Sequence, residues 1–397
     1  MRRGSDTITG VKYSGFWACS NAMPFRVGSR TAQAYAALGE RLLEILRSGA
    51  HADTLRQELG DPGARVELGL ARPAGYSVLY PLRIELRDIR ATLDAFVKVR
   101  REARNGPFLP EDASSRAAQL AAGEYEALLR AHRYFSATRG GLGVVRPLLH
   151  LPEFHAIVVT RAKGDPLDQI CYGGGRHGAS AAAASGAWLR HYHRGVHAAH
   201  RLLWDSQRFL EGIDVRMERL LQRGVPRTRL EALRESIGDA ARAVGPAEIH
   251  RSLLHGDYKL RHIYTYEGGI EVLDFGNSLE GDCSLDIAAF VVEVEVFALS
   301  NPRVNHERLQ MLTEAFLEGY FEGMPVPPTT CLYVVDALLK KWERRIIRWS
   351  PARAALAIQG LLHATRIGPI LERAYLDPWF RARIRHWLAA ARRGMPA

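Results

Sequence analysis

Two aspartates 17 positions apart, Asp257 in HGD and Asp274 in LDFG, bracket a short β-like island in a chain whose second half is otherwise mainly helical. The island reads SLLHGDYKLRHIYTYEGGIEVLDFGNSLEGDCSLDIAAF, and its two apolar, strand-like pieces flank a Gly-Gly turn at Gly268 and Gly269. Such pieces fold back as a hairpin, which brings the aspartates at their outer ends into one cleft. Phosphoryl transfer needs one carboxylate beside an attacking hydroxyl and another on the cation that bridges the donor phosphates, and this layout supplies both.

The rest of the chain supports a two-lobed molecule. Its 397 residues exceed the roughly 250–300 at which one hydrophobic core stops growing. The segment TAQAYAALGERLLEILRSG, from Thr31 to Gly49, repeats apolar residues at helical spacing. Between Val66 and Arg101 the pattern becomes β-branched, aromatic and partly alternating, with a turn at Pro73 and Gly75. A helix is expected from Arg116, then strands in VVRPLL and HAIVVTRAKG. After Gly164 the expectation is helix, including the whole of AAAASGAWLRHYHRGVHAAHRLLWDSQRFL, with the island as the one interruption.

Apolar residues make up 47% and charged residues 24%, the balance of a globular protein. The net charge of +11 comes from arginines spread along the chain, Arg100, Arg101, Arg104, Arg344, Arg345 and Arg348 among them. No stripe or reading motif collects them, so the expectation is a solvated basic surface and no nucleic-acid partner. Cys19, Cys171, Cys283 and Cys331 form no C-x-x-C pair and read as reduced, buried thiols. The first 30 residues lack the apolar run of a signal peptide, and no stretch of about 18 apolar residues occurs, which leads to an expectation of a cytoplasmic protein with no membrane association. His193, His197 and His200 have i, i+4, i+7 spacing, but no acidic or cysteine partner accompanies them, so helical packing is favoured over a metal site there.

HGDYKLRH, then VLDFG, then GDCSLD, in that order, resemble the catalytic segment of aminoglycoside phosphotransferases and choline kinases. The resemblance implies an α+β, bilobal, protein-kinase-like fold with a small β-rich N-lobe and a larger helical C-lobe. The implied boundaries are an N-terminal arm and helix (1–60), a nucleotide-binding N-lobe (61–162) and a C-lobe with the catalytic loop and acceptor site (163–397). The implied activity is transfer of the γ-phosphoryl group of ATP, with Mg2+, to a hydroxyl of a small molecule such as a sugar, amino alcohol or aminoglycoside. Asp257 would be the catalytic base or hydroxyl-orienting residue, Asp274 the principal metal ligand, His255 a brace of the catalytic loop and Asp286 the carboxylate tying that loop down. Lys98, mid-strand in AFVKVRR, would hold donor phosphates, braced by Glu124 or, second, Glu126. Gly75 and Ser77 would belong to the phosphate-covering hairpin, and residues 158–167 to the segment joining the lobes. Lys259 and Arg261 would add positive charge near the transfer point. One position departs from the pattern: five residues after Asp257, where the family has a metal-holding asparagine, stands His262. Imidazole is a poor magnesium ligand, so a nucleotide-binding module with weak or no transfer activity is the alternative. A protein kinase proper fits less well, since the motif begins H-G-D and no A-P-E segment follows.

Overall fold

The computed structural model describes residues 29–102, 115–138, 140–173, 176–196, 200–299, 306–344 and 368–394. Two helices lead in, α1 (Ser29–Arg47) and α2 (Gly49–Leu59), the second ending at Gly60 in the left-handed conformation. Strands β1 (Arg65–Leu68), β2 (Arg72–Ala74), β3 (Ser77–Leu86) and β4 (Ala91–Arg100) follow, then α3 (Arg116–Ala137), β5 (Leu142–Val144), β6 (Pro147–Leu151) and β7 (Ala156–Thr160). The strands expected on either side of α3 join one antiparallel sheet in the order β1-β3-β4-β7-β6, with β2 paired to β3. Tyr35, Leu38, Leu42 and Leu46 of α1 pack on its face with Val78, Tyr80, Val97 and Val99 to form the first core.

VVRPLL does not form one strand. Only its first residue, Val144, belongs to β5, which leaves the N-terminal sheet and runs parallel to β12 (Gly269–Val272), while Pro147 begins β6. The second sheet, β5-β12-β11-β8, therefore joins the lobes, with β11 spanning Ile263–Tyr266 and β8 Asp165–Pro166. The β11–β12 hairpin forms as expected, but it turns on Glu267 and Gly268, since Tyr266 pairs with Gly269.

The C-terminal part contains α4 (Leu167–Gly173), α5 (Arg176–Gly195), α6 (Ser206–Gln222), α7 (Arg227–Val244), α8 (Ser284–Leu299), α9 (His306–Phe321), α10 (Pro328–Arg344) and α11 (Gly368–Arg393). One expectation fails here. The stretch read as continuous helix from Ala181 to Leu210 is broken by β9 (His200–Leu203), which pairs with β10 (Glu248–Leu254), itself paired to β13 (Leu279–Asp282). RLL is as compatible with a strand as with a helix, and only pairing with β10 decides. The second core gathers the apolar faces of α5–α11 around the fully buried Trp188, Tyr258, Phe290 and Phe316, and also takes in Ala127, Leu128, Ala131 and Phe135 of α3. No described helix is long and apolar enough to cross a membrane.

Candidate active site

β4 alternates faces: Ala95, Val97 and Val99 point into the first core, which turns Lys98 and Arg100 to the opposite face, toward the second lobe. There Glu124 of α3, 3% exposed, presents one oxygen to each cation. Lys98 Nζ donates to Oε1 at 2.7 Å, and Arg100 donates to Oε2 from Nε at 3.0 Å and Nη2 at 2.5 Å. Glu126, the second choice as partner of Lys98, is exposed two positions further along α3. Lys98 Nζ also reaches Asp274 Oδ1 at 2.6 Å, and Arg100 Nη2 lies 3.5 Å from the same oxygen.

Asp274 follows β12 with φ at 71°, a left-handed backbone that a non-glycine residue adopts at a cost of order 1–3 kcal/mol. The bend aims its carboxylate back at the cations. Burial alone would raise its pKa, but the charges of Lys98 and Arg100 hold it well below the ordinary carboxylate value.

The loop after β10 carries the other carboxylate. Gly256 has φ 77°, and a side chain there would collide with the Asn277 carbonyl, so only glycine lets the loop pass so close to the segment after Asp274. Fully buried Asp286, at the start of α8, accepts from His255 N at 2.6 Å and Gly256 N at 2.9 Å, and bonds His193 Nε2 at 3.1 Å. Burial works against the imidazolium of His193, yet Tyr320, Cys283 and Asp286 keep its pKa well above 6.5. His255 spans both carboxylate segments: Nε2 donates to Leu273 O at 3.1 Å, and Nδ1 accepts from Asp257 N at 3.3 Å. Its burial lowers its pKa and keeps the ring neutral. Trp188 stacks on Tyr258 at 5.6 Å between centroids and donates to Gly143 O, which ties the loop to β5.

Asp257 keeps 30% of its side chain exposed and pairs with Lys259 Nζ at 2.5 Å. Burial lowers the Lys259 pKa against the pull of Asp257. His262 sits between the aspartates. Its Nδ1 lies 3.1 Å from the Asp257 carbonyl oxygen, which can only accept, so Nδ1 carries the proton and Nε2 turns its lone pair toward Asp274 Oδ2 at 3.4 Å. Burial lowers its pKa to about 4.

Asp257, His262 and Asp274 each offer a ligand atom within 4.8 Å of the others, a geometry that fits a divalent cation, with two carboxylates as the hard donors and one imidazole as the borderline one. The histidines with i, i+4, i+7 spacing form no such group among the described residues. His193 is engaged by Asp286 and Tyr320, His200 is exposed on β9, and His197 lies outside the described residues. Cys171, Cys283 and Cys331 are free and buried, while Cys19 lies outside the described residues.

Gly75, with φ 59°, and Tyr76 make the two-residue turn between β2 and β3, and Ser77 pairs with Arg100 in the ladder, which places the hairpin at the end of the sheet that carries the cations. Neither Gly75 nor Ser77 bonds to the ionic cluster among the described residues. Gly75 O instead accepts from the buried Arg101, which also donates to Tyr35 Oη of α1 at 2.9 Å. In the segment joining the lobes, Lys163 N donates to Glu271 Oε2 at 3.0 Å.

Arg100 and Arg101 were expected on a solvated surface. Arg100 is 12% exposed and Arg101 is 3% exposed. The signal for Arg100 was present, since it stands two residues after Lys98 on a strand and so shares its face.

A β-rich lobe bearing the cations, a helical lobe bearing the carboxylates and a sheet joining them constitute an α+β, protein-kinase-like fold. The chain belongs to the phosphotransferase enzyme family, whose model matches residues 85–327, more than half of its length. The resemblance read from HGDYKLRH, VLDFG and GDCSLD is thereby borne out. A comparison with curated proteins found no significant match. Among solved structures, the chain is similar to a choline/ethanolamine kinase family protein from Mesorhizobium loti, with 14% identity over 89% of this chain and 99% of the other at a TM-score of 0.48. It is also similar to a fructosamine-3-kinase-like protein from Thermobifida fusca, with 16% identity over 85% and 98% at 0.44. A third similarity is to a macrolide 2'-phosphotransferase from Brachybacterium faecium, with 14% identity over 89% and 97% at 0.41.

Proposed function

We propose that the protein transfers the γ-phosphoryl group of ATP to a hydroxyl of a small molecule, with residues 61–162 as the nucleotide-binding lobe and 163–397 carrying the catalytic loop and acceptor site. The observation that carries this reading is the convergence of Lys98, Glu124, Asp257, His262 and Asp274 on one ionic cluster, although they come from β4, α3 and the catalytic hairpin. A divalent cation, Mg2+ in this reading, would be held by Asp274 with His262 and Asp257 beside it, and would neutralise the donor phosphates.

Asp257 is partly exposed and held by Lys259, so its carboxylate can orient the acceptor hydroxyl and take its proton as the oxygen attacks. The new bond joins that oxygen to the γ-phosphorus, the bond to the β,γ-bridging oxygen breaks, and ADP leaves. Lys98 stabilises the donor phosphates, with Glu124 fixing its position. Lys259 faces the same point as a further positive charge. Gly75 and Ser77 cover the phosphates from the hairpin, and His255 and Asp286 keep the loop in register.

The test is ADP formation by the purified protein with ATP and Mg2+ across sugars, amino alcohols and aminoglycosides. Acceptor-dependent ADP formation in the wild type, lost in Asp257→Asn with nucleotide affinity retained, is the expected result. Nucleotide binding without transfer to any acceptor would favour the binding-module alternative that His262 raises.

A further inference from the structure

We infer that Arg100 is a second ligand for the donor phosphates, working as a pair with Lys98 where a single lysine would ordinarily serve; this rests on the nucleotide reading above. Lys98 and Arg100 stand at i and i+2 on β4, so the strand itself puts both on the cleft face. Glu124 is divided between them, Oε1 to Lys98 and Oε2 to Arg100, and Asp274 is shared. Whatever approaches Lys98 along this face also approaches Arg100. Ser77, on the hairpin that would cover the phosphates, is the ladder partner of Arg100 rather than of Lys98.

The guanidinium retains unused capacity. Nε and Nη2 are spent on Glu124, but Nη1 has no hydrogen-bond partner among the described residues and is not among the buried unpartnered atoms. A guanidinium offers five donors in a fixed fork that matches phosphate oxygens, so one edge can stay on Glu124 while the other takes an anion. Gly276 makes the room: a side chain there would fall on the Arg100 fork.

Charge explains what a second cation does here. Lys98, Arg100 and Lys259 balance Glu124, Asp257 and Asp274. With imidazole as one of its three donors the site holds a hard cation less firmly than an all-oxygen set would, and a second fixed positive charge beside the phosphates compensates without a metal.

The test measures the affinity of adenosine, AMP, ADP and ATP, each with Mg2+, for the wild type, Arg100→Lys, Arg100→Gln and Lys98→Ala. Arg100→Lys keeps the charge on Glu124 and guards against a folding defect. Adenosine affinity is expected to be unchanged in both Arg100 variants. ATP affinity should fall about 10- to 100-fold in Arg100→Gln, the scale of one lost charge-assisted bond, and by less in Arg100→Lys. If each Arg100 variant loses the same factor for adenosine and ATP, or loses nothing for ATP, Arg100 is only a brace of α3 and the inference falls while the proposed function stands. A wild type that binds none of the four ligands overturns both.

Discussion

Asp286→Asn tests how the loop that carries Asp257 is held. The wild-type carboxylate accepts three bonds, two at Oδ2 from His255 N and His193 Nε2 and one at Oδ1 from Gly256 N. The amide has one accepting oxygen. If it keeps the two donors at the Oδ2 position, its NH2 faces the Gly256 N–H, donor against donor. One charge-assisted bond is then lost, about 1.5–3 kcal/mol, and a buried N–H is left unpaired, about 1–3 kcal/mol more. The sum, about 2.5–6 kcal/mol, brackets the ~3–5 kcal/mol cost of breaking a buried ion pair by removing one partner. Urea denaturation of both proteins at pH 6, followed by circular dichroism, measures it.

The pH profile adds an independent check. Burial pushes Asp286 up, but the His193 bond and charge outweigh it and hold the pKa below 3.8, so its contribution is present above that value and lost as pH falls through the depressed one. His193 is held well above 6.5, so its contribution is present below 6.5 and lost as pH rises through the elevated value. Wild-type stability should therefore decline on both sides of a plateau, and Asp286→Asn should flatten both limbs. A loss under about 1 kcal/mol with both limbs intact would refute the reasoning, since it would mean that the three bonds contribute little beyond what water provides.

Lys98→Ala should weaken use of ATP by about 1–3 kcal/mol or more in kcat/KM, because a charge-assisted phosphate bond is lost; unchanged kinetics would leave Lys98 as an ion-pair partner of Glu124 and Asp274 alone. Asp274→Asn should abolish metal-dependent nucleotide binding while the fold persists, and calorimetric titration with ATP and Mg2+ at wild-type affinity would show the wrong ligand had been chosen. His262→Asn should hold or raise Mg2+ affinity, whereas His262→Ala should lower turnover. Because burial keeps the wild-type ring neutral down to about 4, the ratio of wild-type to alanine rates should stay flat between pH 5 and 8. Gly276→Ala should displace the Arg100 fork, which lowers ATP affinity with adenosine affinity unchanged, measured by the same titrations.

Local pattern made much of this protein legible. The β11–β12 hairpin, the helical spacing of α1 and α3, and the HGD and LDFG segments all depend on neighbours within a few positions, and the order of those segments carried the family and the fold. Lys98 stood out because a lysine amid Phe96, Val97 and Val99 on a strand needs a partner. What the sequence left open depends on contacts between distant residues. β9 is a strand because β10 lies beside it, and VVRPLL divides because its first residue, Val144, pairs with β12. Arg100 read as one more surface arginine until α3 brought Glu124 against it, 24 positions away, and Asp274 came within reach from 174 away. The tautomer of His262 likewise follows from the Asp257 carbonyl beside Nδ1, and its neutral charge from burial in a place water barely reaches. Charge state, tautomer and ligand capacity follow from burial and partner geometry, and those come into being only when the two lobes meet.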